Sequence, residues 1–170
     1  MKNYTDLIDK LNLIPHPEGG YYRRNWQSLL SGDIKDSTQK VLFNSRSIGS
    51  SIIYLLPSSE VSAWHRISCD EMWHFYEGSP LKIYTLNAQK GYEEMTLGCD
   101  ISAGQIPQII IHRQTWYAAE TLEPNSHTLC GCTLWPSFTY ADFEMADIAK
   151  LKDEFPRFTA QIDHIAKRSK

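Results

Sequence analysis

No apolar run in this chain approaches the roughly 20 residues that a membrane-spanning helix needs, so no membrane association is expected. The opening segment, MKNYTDLIDKLN, interleaves charges with its apolar residues. It lacks the continuous apolar stretch of a secretion signal, and the expected location is cytoplasmic. Excess positive charge is missing too: 17 Lys and Arg stand against 20 Asp and Glu, for a net charge of −3. That balance gives no field to gather DNA or RNA. Cysteine is sparse, with four residues, Cys69, Cys99, Cys130 and Cys132, and without an export signal reduced thiols are the expectation. Cys130-Gly131-Cys132 is too tightly spaced for a zinc knuckle and reads as strand filler. No phosphate-loop lysine or helix start follows Gly19-Gly20, and no Ser or Cys sits in a nucleophile elbow. Repeats, low-complexity tracts and linkers are also lacking.

What remains is a globular composition, 42% hydrophobic and 12% aromatic over 170 residues, long enough for one domain with a substantial core and short for two. One domain over residues 1–170 is the expectation. Thr5 is placed to cap a short helix with Leu7, Ile8 and Leu11 on its apolar face, and Pro15 forbids its continuation. Short β-rich runs follow at 20–27, 40–46, 50–56, 61–68, 72–76, 81–87, 92–97, 107–112, 115–119 and 127–134. Turn-forming clusters such as SGD, LPSS, EGSP, NAQKG and EPNS separate them. Many short strands at this spacing indicate a sandwich or barrel. From Tyr140 the period turns helical, through Phe143, Met145, Ile148 and Leu151, and Pro156 divides this stretch from a second short helix with a basic tail.

Strand alternation decides which side chains meet. Glu71, Trp73 and Phe75 share one face of their strand, Met72, His74 and Tyr76 the other, and His65 and Ile67 lie on a common face. In the N-terminal strand only one of Arg23 and Arg24 can face inward, and Tyr22 accompanies Arg24. An inward arginine can hold a carboxylate or phosphate bidentately. HPEGGYYRR also reads simply as a turn followed by an edge strand at a dimer contact.

Residues 62–78, SAWHRISCDEMWHFYEG, place His65, Glu71 and Gly78 at the spacing of the first conserved segment of the cupin superfamily, H-x-H, three or four residues, E, six residues, G. Ile67 stands where the second His belongs, and Gly78 follows Glu71 by seven positions. With LIPHPEGGYYRRNWQS, SSIIYLLPSS, LGCDISAGQIPQIII and CGCTLWPSFTYADFEM in the same order, the chain resembles the small-cupin family called DUF985 or cupin-5, from about residue 10 to about 156. The resemblance implies a mainly β fold, a cupin double-stranded β-helix or jelly-roll barrel with short flanking helices, most often a homodimer. It also implies that Glu71 points into the barrel with Trp73 and Phe75 beside it, and that His74 points away.

The second cupin segment falls on Pro107, Ile109, His112 and Trp116. The resemblance thus implies a metal set of His65, Glu71 and His112, which suits a divalent transition metal with open positions. The DUF985 pattern, however, carries proline where this chain has His112, and with Ile67 in place of one ligand no cofactor is the expectation. Without metal, a carboxylate partly desolvated beside Trp73 and a nearby imidazole form an opposed acid–base pair, similar to the metal-free sugar epimerases of the superfamily. Four readings stay open. They are an isomerase or epimerase of a sugar-like or nucleotide-sugar substrate with His65 and Glu71 catalytic, a metal-dependent dioxygenase or isomerase, a non-catalytic ligand-binding barrel, and a purely structural His–Glu hydrogen bond. Trp73, Phe75, Trp116, Tyr22 and Arg24 are the expected ligand-binding residues for a small molecule.

Overall fold

The computed structural model describes residues 4–169. In chain order the elements are α1 (Tyr4–Leu11), β1 (Ile14–Pro15), β2 (Tyr21–Gln27), β3 (Ser31–Lys35), β4 (Val41–Ser47), β5 (Ser50–Pro57), β6 (Val61–Ile67), β7 (Asp70–Gly78), β8 (Leu81–Asn87), β9 (Gly91–Leu97), β10 (Gln108–Ile111), β11 (Trp116–Thr121), β12 (His127–Trp135), β13 (Phe143–Met145), α2 (Ile148–Glu154) and α3 (Thr159–Ala166). A six-stranded sheet, β1-β2-β5-β12-β7-β10, and a five-stranded sheet, β13-β6-β11-β8-β9, hold all but the β3-β4 hairpin.

The main core gathers inward residues of both sheets: Tyr54, Trp73, Cys130 and Cys132 from the first, Ile67, Ile83, Tyr117 and Ala119 from the second. The strand pairings are antiparallel, and the result is the mainly β jelly-roll barrel that the spacing of short runs implied. The five-stranded sheet is covered on its outer face as well. Trp64, Tyr84, Leu86 and Trp116 pack there against Leu151, Phe155, Ile162 and Ile165 of the C-terminal helices, and Trp64 Nε1 donates to the Ile162 carbonyl at 3.2 Å. All six residues of β11 are therefore buried.

Three local expectations change. Thr5 lies within α1, whose described residues are Tyr4–Leu11, and not ahead of it. Residues 31–33, SGD, assigned to turn punctuation, open β3 (Ser31–Lys35) of the hairpin. Phe143 and Met145 belong to β13 instead of a helix, because that segment pairs with the free edge of β6, Phe143 opposite Ile67 and Met145 opposite His65. The helical period is real only from Ile148 onward.

The turn before β2 matters most for the cavity below. Gly19 (φ 111°) and Gly20 (φ 69°) take left-handed backbone, which side chains disfavour. His16 N–H donates to the Gly20 carbonyl at 2.9 Å and Gly19 N–H to the His16 carbonyl at 3.0 Å. A Cβ on Gly19 would lie 2.1 Å from the Val61 carbonyl oxygen. The turn thus lies directly on β6 and folds the His16–Glu18 segment over the barrel.

Candidate functional site

β6 and β7 bring the two ends of the sequence motif together. On β7 the alternation holds: Glu71 and Trp73 are buried in the barrel, and the irregularity in pairing with β12 comes only beyond, between Glu77 and Phe75. One carboxylate oxygen of Glu71, Oε2, accepts from Tyr117 Oη at 2.7 Å and from Trp73 Nε1 at 2.8 Å. Burial pushes the Glu71 carboxyl above the ordinary range; the Tyr117 hydrogen bond opposes that shift, while the nearby Glu18 charge adds to it.

His65 is fully buried. Its Nδ1 lies 2.7 Å from the Ala63 carbonyl, and since a carbonyl only accepts, Nδ1 carries the hydrogen. Nε2 then faces Glu18 Oε2 at 3.0 Å, a contact that requires one proton shared between imidazole and carboxylate. Ser62 Oγ donates to the other Glu18 oxygen at 3.0 Å. On the far side of Glu18, His16 Nδ1 lies 3.4 Å from Oε2, and burial lowers the His16 pKa, favouring the neutral ring. The His65 ring is flanked by Tyr117 and Phe143, with centroids at 4.0 and 5.3 Å.

These groups line one cavity of about 40 Å³. Its floor is polar, with His16, Glu18, His65 and Glu71, and its walls include Ile52, Ile67, Trp73, Cys132 and Leu134. At the mouth stand Tyr22, Arg24, Phe138 and Tyr140, and these four also line an outer vestibule of about 600 Å³. Tyr22 Oη and Tyr140 Oη are hydrogen bonded at 2.9 Å across the mouth. A cavity this small holds a few atoms, far less than the several hundred Å³ of a site enclosing a whole cofactor-sized ligand.

Of the residues singled out in the sequence, His65, Glu71, Trp73, Tyr22 and Arg24 meet in this cavity. His74 lies on the opposite face of β7, 3.1 Å from Thr133 Oγ1 through Nε2 and 3.1 Å from Gln108 through Nδ1. Phe75 is half-buried against the core without reaching the cavity. With Phe75 outside the cavity, contrary to expectation, two further expectations need correction. Trp116 does not line it: Tyr117 takes the inward position, so Trp116 points outward to the helical layer, with the Arg66 guanidinium 4.3 Å above its ring. His112 is not a third ligand beside His65 and Glu71. β10 ends at Ile111, which faces Glu71, and His112 just beyond it is 72% exposed and 3.6 Å from Asp70. It belongs to a separate cleft with Arg113 and Gln114.

The metal that the superfamily resemblance implies does not fit these residues. Among the described residues no group of three or more His, Cys, Asp or Glu could hold a metal ion, Ile67 presents no lone pair, and the free nitrogen of His65 is engaged by Glu18. His16, Glu18, Tyr54 and Tyr117 inside the cavity, and Phe138 and Tyr140 at its mouth, are among the residues that sequence reasoning missed. The one signal for Glu18 is a carboxylate immediately ahead of two glycines; Tyr117 carried none beyond its strand.

Residues 5–146 match the family described as Cupin superfamily (DUF985). No curated protein matches the chain. Among solved structures, a protein from Shewanella oneidensis is similar at 32% identity with a TM-score of 0.83, over 96% of each chain. A hypothetical protein from Leishmania major is similar in fold at 23% identity and a TM-score of 0.84, over 96% of this chain and 98% of that one. Oxalate decarboxylase of Bacillus subtilis shares the fold alone, at 10% identity and a TM-score of 0.54, over 92% of this chain and 38% of its own.

Proposed function

The chain belongs to the DUF985 family of the cupin superfamily, and on that premise we propose that it binds a small molecule and moves a proton next to a carbonyl without a metal, as an isomerase or epimerase does. One observation carries this reading: His65, with Nδ1 anchored on a carbonyl, turns Nε2 to Glu18 at 3.0 Å in the same cavity as Glu71. Two proton-exchanging groups with different environments then face one small space. One takes the proton from the carbon beside the carbonyl. The other gives a proton to the oxygen of the resulting enolate, and the reverse transfers restore the carbonyl with the carbon proton moved or its face inverted. The cavity of about 40 Å³ supports entry of the carbonyl end alone, so a nucleotide-sugar is read here as a substrate only if its bulk stays outside.

A second reading, a binding barrel without turnover, is favoured by a different observation. Both ring nitrogens of His65 are already engaged, and one Glu71 oxygen receives two donors, as in a purely structural network. Incubation with dihydroxyacetone and related small hydroxyketones in deuterated water separates the two. Proton transfer puts deuterium on carbon, and His65→Asn abolishes it while leaving ligand affinity within about tenfold, since a base acts chiefly in the transition state. A tightly bound ketone that never exchanges makes the barrel a binder.

We read the protein further as a cytoplasmic homodimer. The four cysteines are all free, which supports a reducing compartment, and among the described residues no helix is long and apolar enough to cross a membrane. The dimer is supported by Trp26, Leu29, Leu30, Ile48 and Trp135, large exposed apolar side chains near the root of the β3-β4 hairpin.

A further inference from the structure

The mouth of the cavity carries an uncompensated positive charge. Arg46, Arg66 and Arg168 each pair with a carboxylate, Asp142, Glu144 and Glu120. Arg24 instead donates to neutral acceptors, Gln27 Oε1 at 3.0 Å and the Phe138 carbonyl at 3.1 Å. Among the described residues neither Arg23 nor Arg24 has a carboxylate partner, and Arg23 Nε is buried without a hydrogen bond. Both arginines line the outer vestibule, whose other residues are neutral. Gln27 and Phe138 hold the Arg24 guanidinium in place while leaving its charge available, and a guanidinium so placed presents further N–H donors to an anion.

The floor, with Glu18 and Glu71 beside His16 and His65, holds no lysine or arginine. An anionic group finds its guanidinium partners only at the rim, so that asymmetry orients any ligand carrying both an anion and a carbonyl. Size requires the same arrangement, since about 40 Å³ inside adjoins about 600 Å³ outside. The two spaces share Tyr22, Arg24, Phe138 and Tyr140, and the two phenols are hydrogen bonded to each other there. When that bond parts, both phenols become free donors next to Arg24.

We propose that the vestibule is an anion subsite, in which Arg24 and Arg23 hold the carboxylate or phosphate head of a small oxo compound while its carbonyl end reaches between Tyr22 and Tyr140 to His65 and Glu71. This deepens the proton-transfer reading and rests on it for the position of the carbonyl. The substrate class is thus a small anionic ketone or aldehyde, its head outside and its reacting carbon inside.

Calorimetric titration of the full chain tests the assignment with four probes: dihydroxyacetone phosphate, 4-oxopentanoate, neutral dihydroxyacetone and inorganic phosphate. A phosphate head predicts that dihydroxyacetone phosphate binds most tightly, a carboxylate head that 4-oxopentanoate does, and in either case by about tenfold or more over dihydroxyacetone, the scale of a charge-assisted contact. Inorganic phosphate alone binds weakly, because it makes no contact inside. Raising the salt concentration weakens the anion-headed probe and not the neutral one. Arg24→Gln removes about tenfold of the anion-headed affinity and leaves dihydroxyacetone within about twofold. Arg23→Gln, read in the same way, serves if Arg24→Gln does not fold. Equal affinity for charged and neutral probes, no binding by any of them, or arginine variants that bind the anions unchanged overturn the subsite. The outcomes separate from those of the parent reading: anion preference without deuterium exchange retains the subsite and discards catalysis, whereas exchange with no anion preference does the reverse.

Discussion

Glu71 and Glu18 are both buried carboxyls within one cavity, yet the sequence pointed only to the first. Glu71 stands on a regular strand, where alternation alone places it with Trp73, and that placement holds. Glu18 depends on a turn that folds back onto β6, a contact between residues 44 positions apart in Ser62 and Glu18, which no local periodicity encodes. His112 erred for the complementary reason. A motif position was assigned to it, but the strand that would have aimed it ends one residue earlier.

The upward shift of Glu71 has a measurable sign. Its folded-state affinity for a proton exceeds the unfolded one, so between the unfolded and folded pKa the native protein retains a proton that the unfolded chain has released. Unfolding free energy therefore falls as pH rises through that window and levels off above it. Glu71→Gln keeps an oxygen for Tyr117 and Trp73 and lacks the titration. Urea denaturation over a pH series is expected to show the variant gaining on the parent protein as pH rises from the acidic side. Parallel curves mean that Glu71 titrates alike in both states.

At the level of elements, the strands that the sequence revealed are those with strong apolar runs and glycine, proline or serine between them. β3 was missed because SGDIK has one β-branched residue and reads as a turn; it exists only because β4 pairs with it. β13 was missed because Phe143 and Met145 happen to precede a true helix at a compatible spacing. Trp116 was placed on the wrong face since β11 is buried on both, one side by the barrel and the other by α2 and α3, and alternation then loses its polar marker. Two substitutions test these elements. Gly19→Ala combines a left-handed φ with a 2.1 Å approach to the Val61 carbonyl, so a loss of at least about 2 kcal/mol in denaturation is expected. The turn cannot relax without moving Glu18 from His65, so deuterium exchange is expected to fall in the same variant. Ile162 on α3 is buried against Trp64 and its neighbours, and Ile162→Ala is expected to cost about 2–5 kcal/mol. A change below about 0.5 kcal/mol shows the helical layer to be dispensable.

For the whole molecule, the resemblance was specific enough to convey the barrel and the direction of Glu71, because both follow from a strand pattern shared across a superfamily. It conveyed no ligand, since ligands are chosen by side chains that vary on a common fold. The same holds for assembly. The β3-β4 hairpin pairs with neither main sheet and is fastened by Arg46, which donates to the Ser137 carbonyl and pairs with Asp142, by the Ser137 N–H bond to the Ser47 carbonyl and by Phe43 against the core. An isolated two-stranded hairpin is marginal in water. Leu30 and Ile48 are joined backbone to backbone at its root, and a Cβ on adjacent Gly49 would touch Trp26 and Trp135, so these exposed apolar side chains form one connected patch. If a second copy covers that patch, Leu29→Asp with Leu30→Asp replaces buried apolar area by two facing charges in the dimer. The same change leaves the isolated chain within about 0.5 kcal/mol, because both leucines are exposed in it. Sedimentation analysis is expected to show a dimer for the parent protein and a dissociation constant raised by about a hundredfold or more in the double variant, with melting of the monomer unchanged. A parent protein that sediments as a monomer at about 100 μM, a concentration that still populates weak dimers, removes the homodimer and leaves the patch without a partner.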